Sequence, residues 1–123
     1  MIQYDVNIEK LLLASIEDYC GLWEMVWEIN TLYPHLSSKA SQRVAYRCIL
    51  YLISKDFVKL FYCQEPYGKM IEIASGDSQV DLLQDLKIWE PPLPEACSVR
   101  VSATKAGEKY YNDMIVLKKY QSN

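Results

Sequence analysis

The residues with the clearest capacity for binding chemistry lie in the stretch "SSKASQRVAYRC", positions 37–48. Lysine and arginine neutralise phosphate, and an arginine can donate two hydrogen bonds to guanine O6 and N7. When this stretch is drawn as a helix at about 100° per residue, its basic residues lie opposite its apolar residues. The candidate binding residues on the basic side are Lys39, Gln42, Arg43, Tyr46 and Arg47.

Charge is segregated along the chain, although the net charge is −3. Residues 39–59 carry five basic residues and one acidic residue, whereas residues 64–96 carry seven acidic and two basic residues. A net acidic chain can therefore present a locally positive face. Three partners of this face remain open: double-stranded DNA, acidic groups of the chain itself, or another protein. Tyr46 and Leu50 lie beside the arginines, and an exposed patch of apolar residues and arginine suits the core of a protein interface.

A catalytic serine is the next chemistry to consider, because "SGDSQ" at positions 75–79 resembles the Gly-Asp-Ser nucleophile block of a lipase and esterase family. A serine nucleophile needs a histidine base and an orienting carboxylate. That family places its histidine near the C-terminus, whereas the single histidine here is His35. We expect instead a glycine turn leading into a helix capped by Asp77 or Ser78.

Metal and cofactor chemistry is also disfavoured by the residue types and their spacing. The four cysteines are widely separated, with no C-x-x-C pair, and His35 is near no pair of them. The chain has only four glycines and no phosphate-cradling glycine loop. We therefore expect reduced and buried thiols, no metal, no cofactor and no enzymatic activity. The cysteines are Cys20, Cys48, Cys63 and Cys97.

Apolar residues at a 3.6-residue period predict three helices in the N-terminal half. The first begins after Asn7 as its N-cap and ends where Gly21 supplies a left-handed cap. The second ends at Pro34, and the third runs from the Ser37-Ser38 pair, which can cap it, to about Ser54.

Two half-buried strands are predicted in the C-terminal half, around an acidic insertion. "FVKLFYC" at 57–63 and "CSVRVSA" at 97–103 alternate in polarity, and the second places Val99 and Val101 towards the core with Arg100 on the other face. Trp89 is expected to anchor the insertion onto the domain. The remaining predicted elements are a short strand in "KMIEIA", a short helix in "QVDLLQDL", an extended loop in "IWEPPLPEA" and a closing helix capped by Thr104.

This order of elements, helix–helix–helix–strand–insertion–strand–helix, is that of the winged helix-turn-helix family. "GLWEMVWEIN" followed by a helix ending "LISKDFVKLFY" resembles the family's helix and the start of its strand, with Asp56 where glycine is usual. "VSATKAG" resembles the T-x-x-G start of the helix after the wing, through Thr104 and Gly107. The chain resembles small bacterial winged-helix proteins in these features. Residues 64–96 are longer than a two-strand wing.

The resemblance implies an α+β winged-helix domain over residues 1–123. Its parts are a three-helix core at about 7–55, a strand, insertion and strand at about 57–103, and a C-terminal helix at about 105–119. The stripe Tyr110, Met114 and Leu117 on that last helix is either core or the seam of a homodimer.

No apolar run approaches the roughly 20 residues of a bilayer crossing, and the N-terminus lacks the basic start of a signal peptide. We expect a cytoplasmic protein without membrane contact. The preferred function is that of a DNA-binding transcriptional regulator. The alternative is a protein-binding adaptor of the immunity or antitoxin type that makes no contact with DNA.

Overall fold

The structure is a computed structural model that describes residues 4–65, 68–74 and 76–121. Its N-terminal half is mainly helical. Within these residues the fold is α+β, with five α-helices and a four-stranded antiparallel sheet. The elements in chain order are α1 Tyr4–Glu17, β1 Cys20–Gly21, α2 Leu22–Leu32, α3 Ser38–Ser54, β2 Val58–Gln64, β3 Met70–Glu72, α4 Asp77–Leu83, a 3₁₀ helix Leu86–Trp89, β4 Cys97–Ala103 and α5 Lys105–Gln121.

Two of the predicted helix boundaries are wrong. Asn7 does not cap α1 but is buried inside it, where its side-chain oxygen accepts a hydrogen bond from the Tyr33 hydroxyl at 3.0 Å. Gly21 has an extended backbone, with φ −66° and ψ 148°, and pairs with β4 instead of forming a left-handed cap. Glycine is needed there for space, because a Cβ atom would lie 2.2 Å from the Trp23 ring. The Ser37 cap of α3 is confirmed, since its hydroxyl oxygen accepts from the Ala40 N–H at 3.1 Å.

The sheet has the strand order β1-β4-β2-β3, and β2 and β4 form its long central pair. All three strands predicted from the sequence are confirmed, and β1 is an addition that the sequence did not reveal. Leu60 and Val101 are register partners at the middle of the central pair, and both are fully buried against the helices. The chain between β2 and β4 holds β3, α4 and the 3₁₀ helix, which we call the insertion.

Arg100 is buried, although the polarity pattern of β4 predicted that it would be exposed. The alternation places it on the face of the sheet opposite Val99 and Val101, but that face is covered, and Arg100 is only 5% exposed. The physical reason is that β1 pairs with β4 at Gly21, and the Tyr19 carbonyl oxygen accepts a 2.9 Å hydrogen bond from the guanidinium. Glu65 supplies a carboxylate 2.8 Å from the same group. This face is thus a small polar core.

Three of the four thiols are buried, and the fourth, Cys97, is exposed; none of the four forms a disulfide. Burial raises the pKa of the Cys20 thiol from 9.0 to about 12, with a further contribution from the negative charge of Glu24. Burial alone raises the pKa of the Cys48 thiol to about 12. Both thiols are therefore protonated at neutral pH and are poor nucleophiles.

We expect the free energy of unfolding to fall as the pH rises from about 9 towards 12. Unfolded thiols lose their protons near pH 9, whereas Cys20 and Cys48 keep theirs when folded. Each thiol can contribute a slope of up to about 1.4 kcal/mol per pH unit. Urea unfolding at several pH values measures this slope. Cys48→Ala should remove part of it, and Cys97→Ala should leave it unchanged. Equal slopes in all three proteins would contradict the prediction.

Candidate binding site

Helix α3 is amphipathic in the way its sequence predicts. Its buried face holds Ser41, Val44, Ala45, Cys48, Ile49 and Leu52. Lys39, Arg43 and Arg47 are exposed on the other side. Tyr46 and Leu50, which the helical periodicity places on the exposed side, are both half-buried and pack against the hydrophobic core. The outward face of α3 is accordingly more polar than the sequence suggested.

Four of the five candidate residues line one cleft, of about 790 Å³, between α2, α3 and the insertion. We call it the α2–α3 cleft. The α3 wall includes Lys39, Gln42, Arg43 and Tyr46. The opposite walls include Trp23, Trp27 and Asn30 from α2 and Leu83, Gln84, Leu86, Trp89, Glu90 and Pro91 from the insertion.

Arg47, the fifth candidate residue, lies in a different place. It lines a second cleft, of about 520 Å³, between α1, α3 and α5, together with Tyr51 and Tyr110. Arg47 is one turn beyond Arg43, and four steps of about 100° place it about 40° further around the helix, towards α5. Helix α3 is therefore a ridge between two clefts, with Arg43 on the side of the first and Arg47 on the side of the second.

Trp89 builds the insertion wall of the α2–α3 cleft. Its side chain is only 3% exposed, and its indole N–H donates a 2.9 Å hydrogen bond to the Leu83 carbonyl oxygen. Its ring meets the Tyr46 ring at a centroid distance of 6.2 Å. The prediction that Trp89 anchors the insertion onto the domain is confirmed. Trp89 is the last residue of the 3₁₀ helix Leu86–Trp89. The sequence predicted an extended chain at the last two residues of this helix.

The charged groups of the cleft do not neutralise one another directly. Lys39 and Arg43 line it together with a single carboxylate, that of Glu90. Within the described ranges 4–65, 68–74 and 76–121, none of the three forms an ion pair within 4 Å. The cleft thus has a net positive lining with its charges available to a bound group.

The sequence missed the aromatic and apolar part of this site. Trp27 is 55% exposed and Leu86 is 69% exposed, and both line the cleft. The spacing of Trp23 and Trp27 predicts core or subunit contact; Trp23 is in the core, and for the exposed Trp27 subunit contact stays a prediction. Trp23 is buried, and the Arg100 guanidinium lies 5.0 Å from its ring centroid. Arg100 of β4 thereby contacts the α2 wall of the cleft through the Trp23 ring.

The residues considered for catalysis are not assembled into a site. His35 is exposed in the loop between α2 and α3, with its ring 6.5 Å from that of Tyr33. Helix α4 has Gly76 as its N-cap, not Asp77 or Ser78, and Ser75 lies outside the described residues. In the part of the chain that the structure describes, no three His, Cys, Asp or Glu side chains are grouped to hold a metal ion.

Helix α5 packs against the rest of the domain along part of its predicted stripe. The Tyr110 ring stacks on Phe57 at a centroid distance of 4.6 Å, and Lys118 forms an ion pair with Glu9 of α1. Leu117 is 60% exposed, and Val116 beside it is exposed as well. The homodimer through this helix stays a prediction. Every helix in the described ranges falls short of the length and hydrophobicity of a membrane crossing.

Comparison of the chain with protein-family models, with curated proteins and with solved structures finds no match. The α2–α3 cleft and the outward side of α3 are therefore the basis for inferring what the protein does.

Proposed function

We propose that this chain is a non-enzymatic winged-helix module that binds double-stranded DNA through the outward side of α3 and regulates transcription. The observation that carries the proposal is the exposed row Lys39, Arg43 and Arg47 on a helix whose opposite side is buried. Lys39 and Arg43 make no ion pair with another described residue, so their charges are not used to hold the fold. Three helices before a strand, an insertion, a strand and a final helix support the winged-helix assignment.

The exposure of each residue suggests its part in binding. A protruding helix can enter the major groove, where arginine recognises guanine and lysine or arginine contacts phosphate. Arg43 lies between Lys39 and Arg47 along the row and is the best placed to reach a base edge. Gln42 and Tyr46 are half-buried in the α2–α3 cleft, and we assign Tyr46, whose ring packs against that of Trp89, to holding the position of the row.

Pairing of two chains would place two α3 helices on one duplex. The exposed side chains of Val116 and Leu117 support a homodimer through α5. Two recognition helices on one side of DNA are separated by one helical turn, about 34 Å.

Fluorescence anisotropy with a mixed-sequence duplex tests the proposal. We expect binding that weakens steeply between about 50 and 200 mM salt. Arg43→Ala/Arg47→Ala should weaken it by at least about tenfold and reduce its salt dependence. Lys105→Ala/Lys109→Ala, which removes the same charge from exposed positions of α5, should bind like the parent chain. Absence of binding at the lowest salt concentration would overturn the proposal.

A protein-binding adaptor, of the immunity or antitoxin type, is the second candidate function. It is favoured by the exposed Trp27 and Leu86 beside Arg43, since aromatic residues and arginine dominate the energy of protein interfaces. The acidic insertion next to α3 also repels phosphate. The two candidate functions differ in whether Arg47 takes part in binding. A DNA contact needs the whole row, whereas a partner in the α2–α3 cleft does not touch that residue.

A further inference from the structure

We propose that the α2–α3 cleft binds a small aromatic carboxylate and that its occupancy weakens DNA binding. The second half of this proposal rests on the proposed function, whereas the first half concerns the cleft alone. The charges, the aromatic walls and the fixed position of the insertion each support a ligand of this chemistry.

The size and lining of the cleft match a small-molecule site. Its volume of about 790 Å³ falls within the range of roughly 300–1,000 Å³ for ligand pockets, which are mostly apolar with a few polar groups. The chain has three tryptophans, and all three line this cleft: Trp23, Trp27 and Trp89. Aromatic side chains favour a ligand with aromatic rings through offset or edge-to-face packing.

The polar lining favours an anion with a single negative charge. Arg43 can hold a carboxylate through two parallel hydrogen bonds, and Lys39 adds a second cation. The carboxylate of Glu90 leaves a net charge of only +1 among these three groups, which disfavours multiply charged phosphates. Gln42 and Gln84 make no side-chain hydrogen bond to another described residue, so their amides are also available to a ligand.

The walls are held in place without a ligand. Trp89 is fixed by its hydrogen bond to the Leu83 carbonyl oxygen, and the Trp23 ring packs against Gly21 and the buried guanidinium of Arg100. The Asn30 side chain donates a 3.2 Å hydrogen bond to the Leu36 carbonyl oxygen, which ties α2 to the turn before α3. A cleft with fixed walls binds without the entropic cost of ordering them.

Arg43 connects the ligand to DNA binding, because it belongs both to the cleft and to the exposed row of α3. A guanidinium that holds a carboxylate cannot also grip a guanine or a phosphate. Arg47 lies in the other cleft and is not touched by the ligand. Ligand and DNA should therefore compete for Arg43 and Lys39.

Titration with biphenyl-4-acetate, in the absence of DNA, tests the ligand half. All three tryptophans line the cleft, so tryptophan fluorescence reports whether the cleft is occupied. The fluorescence is excited at the red edge of tryptophan absorption. We expect a saturable change, and we expect the uncharged primary amide of the same compound to bind at least about tenfold more weakly. Absence of a saturable change up to millimolar concentration, or equal affinities of acid and amide, would overturn the proposal.

Variants of exposed residues locate the binding. Arg43→Gln should weaken binding of the acid by about tenfold or more and leave that of the amide unchanged. Leu86→Ala should weaken both compounds, and Arg47→Ala, one helical turn away, should change neither. Circular dichroism establishes that each variant is folded. Equal loss of acid binding in Arg43→Gln and Arg47→Ala would overturn the assignment to this cleft.

Adding the ligand to the anisotropy experiment tests the regulatory half. We expect biphenyl-4-acetate to release the duplex at concentrations that saturate the cleft, while the amide at equal concentration does not. If the ligand binds and the parent chain does not bind DNA, the proposed function fails and the ligand site stands. If DNA binds and the ligand does not, the ligand site fails alone. Simultaneous binding without competition would overturn the regulatory half.

Discussion

Replacing Arg100 by alanine is expected to lower the free energy of unfolding by about 3–5 kcal/mol, because it removes the buried guanidinium that pairs with the largely buried carboxylate of Glu65. The guanidinium donates to this carboxylate through Nε at 3.2 Å and Nη2 at 2.8 Å, and to the Tyr19 carbonyl oxygen at 2.9 Å. It also packs on Trp23. Since domains of this size are stable by about 5–15 kcal/mol, the loss would be a large share of the total.

Urea unfolding followed by circular dichroism measures this loss. Lys59→Ala is the matched control, because it breaks a 3.2 Å ion pair with Glu72 in the same sheet whose partners are both about half exposed. Such a surface pair contributes at most about 1 kcal/mol. Arg100→Met/Glu65→Leu removes both charges of this pair and should recover much of the stability. An Arg100→Ala loss no larger than that of Lys59→Ala would refute this account of the polar core.

The second large effect is expected at Gly107, in the first turn of α5. A Cβ atom there would lie 2.1 Å from the Phe57 carbonyl oxygen. That oxygen cannot move freely, because it accepts a 2.9 Å hydrogen bond from the Thr104 N–H, while the Phe57 N–H donates to the Leu52 carbonyl oxygen. We therefore expect Gly107→Ala to destabilise the domain by about 1–3 kcal/mol or more, as overpacking does.

The sign of the change in the free energy of unfolding distinguishes a close contact at Gly107 from an ordinary helix position. In a helix without such a contact, glycine to alanine stabilises by up to about 1 kcal/mol. Glu108→Ala, at the next position of the same helix and exposed, controls for helix propensity and should have little effect. Thermal or urea unfolding of the three proteins gives the comparison. A Gly107→Ala protein more stable than its parent would contradict the close approach of α5 to Phe57.

Both substitutions act at junctions between distant parts of the chain. Gly107 allows α5 to approach the start of β2, and Arg100 joins β4 to Tyr19 just before β1 and, through Trp23, to the α2 wall of the cleft. Loss of stability at Arg100 should consequently be accompanied by a change in the emission of Trp23. The scaffold and the candidate site thus share residues that no local sequence pattern marks.

Local patterns were sufficient for the main helices and strands, but not for β1, the 3₁₀ helix or the ends of α1. The Ser37 cap and the 3.6-residue period identified α3 and its exposed basic side, and the polarity of "FVKLFYC" and "CSVRVSA" identified β2 and β4. These predictions succeed because capping and amphipathicity depend on residues within a few positions of one another. The burial of Trp89 was also predicted from its residue type, because tryptophan is highly buried on average.

Only the tertiary structure decided what covers the polar side of each element. Periodicity distinguishes the apolar side of α3 from its basic side, but it does not say that the insertion lies beside Arg43 and α5 beside Arg47. In the same way, the alternation in β4 separates Arg100 from the valines without revealing that Tyr19 and Glu65 enclose it. Each of these contacts joins residues more than 30 positions apart, where local propensity carries no information and packing of the whole chain determines the neighbours.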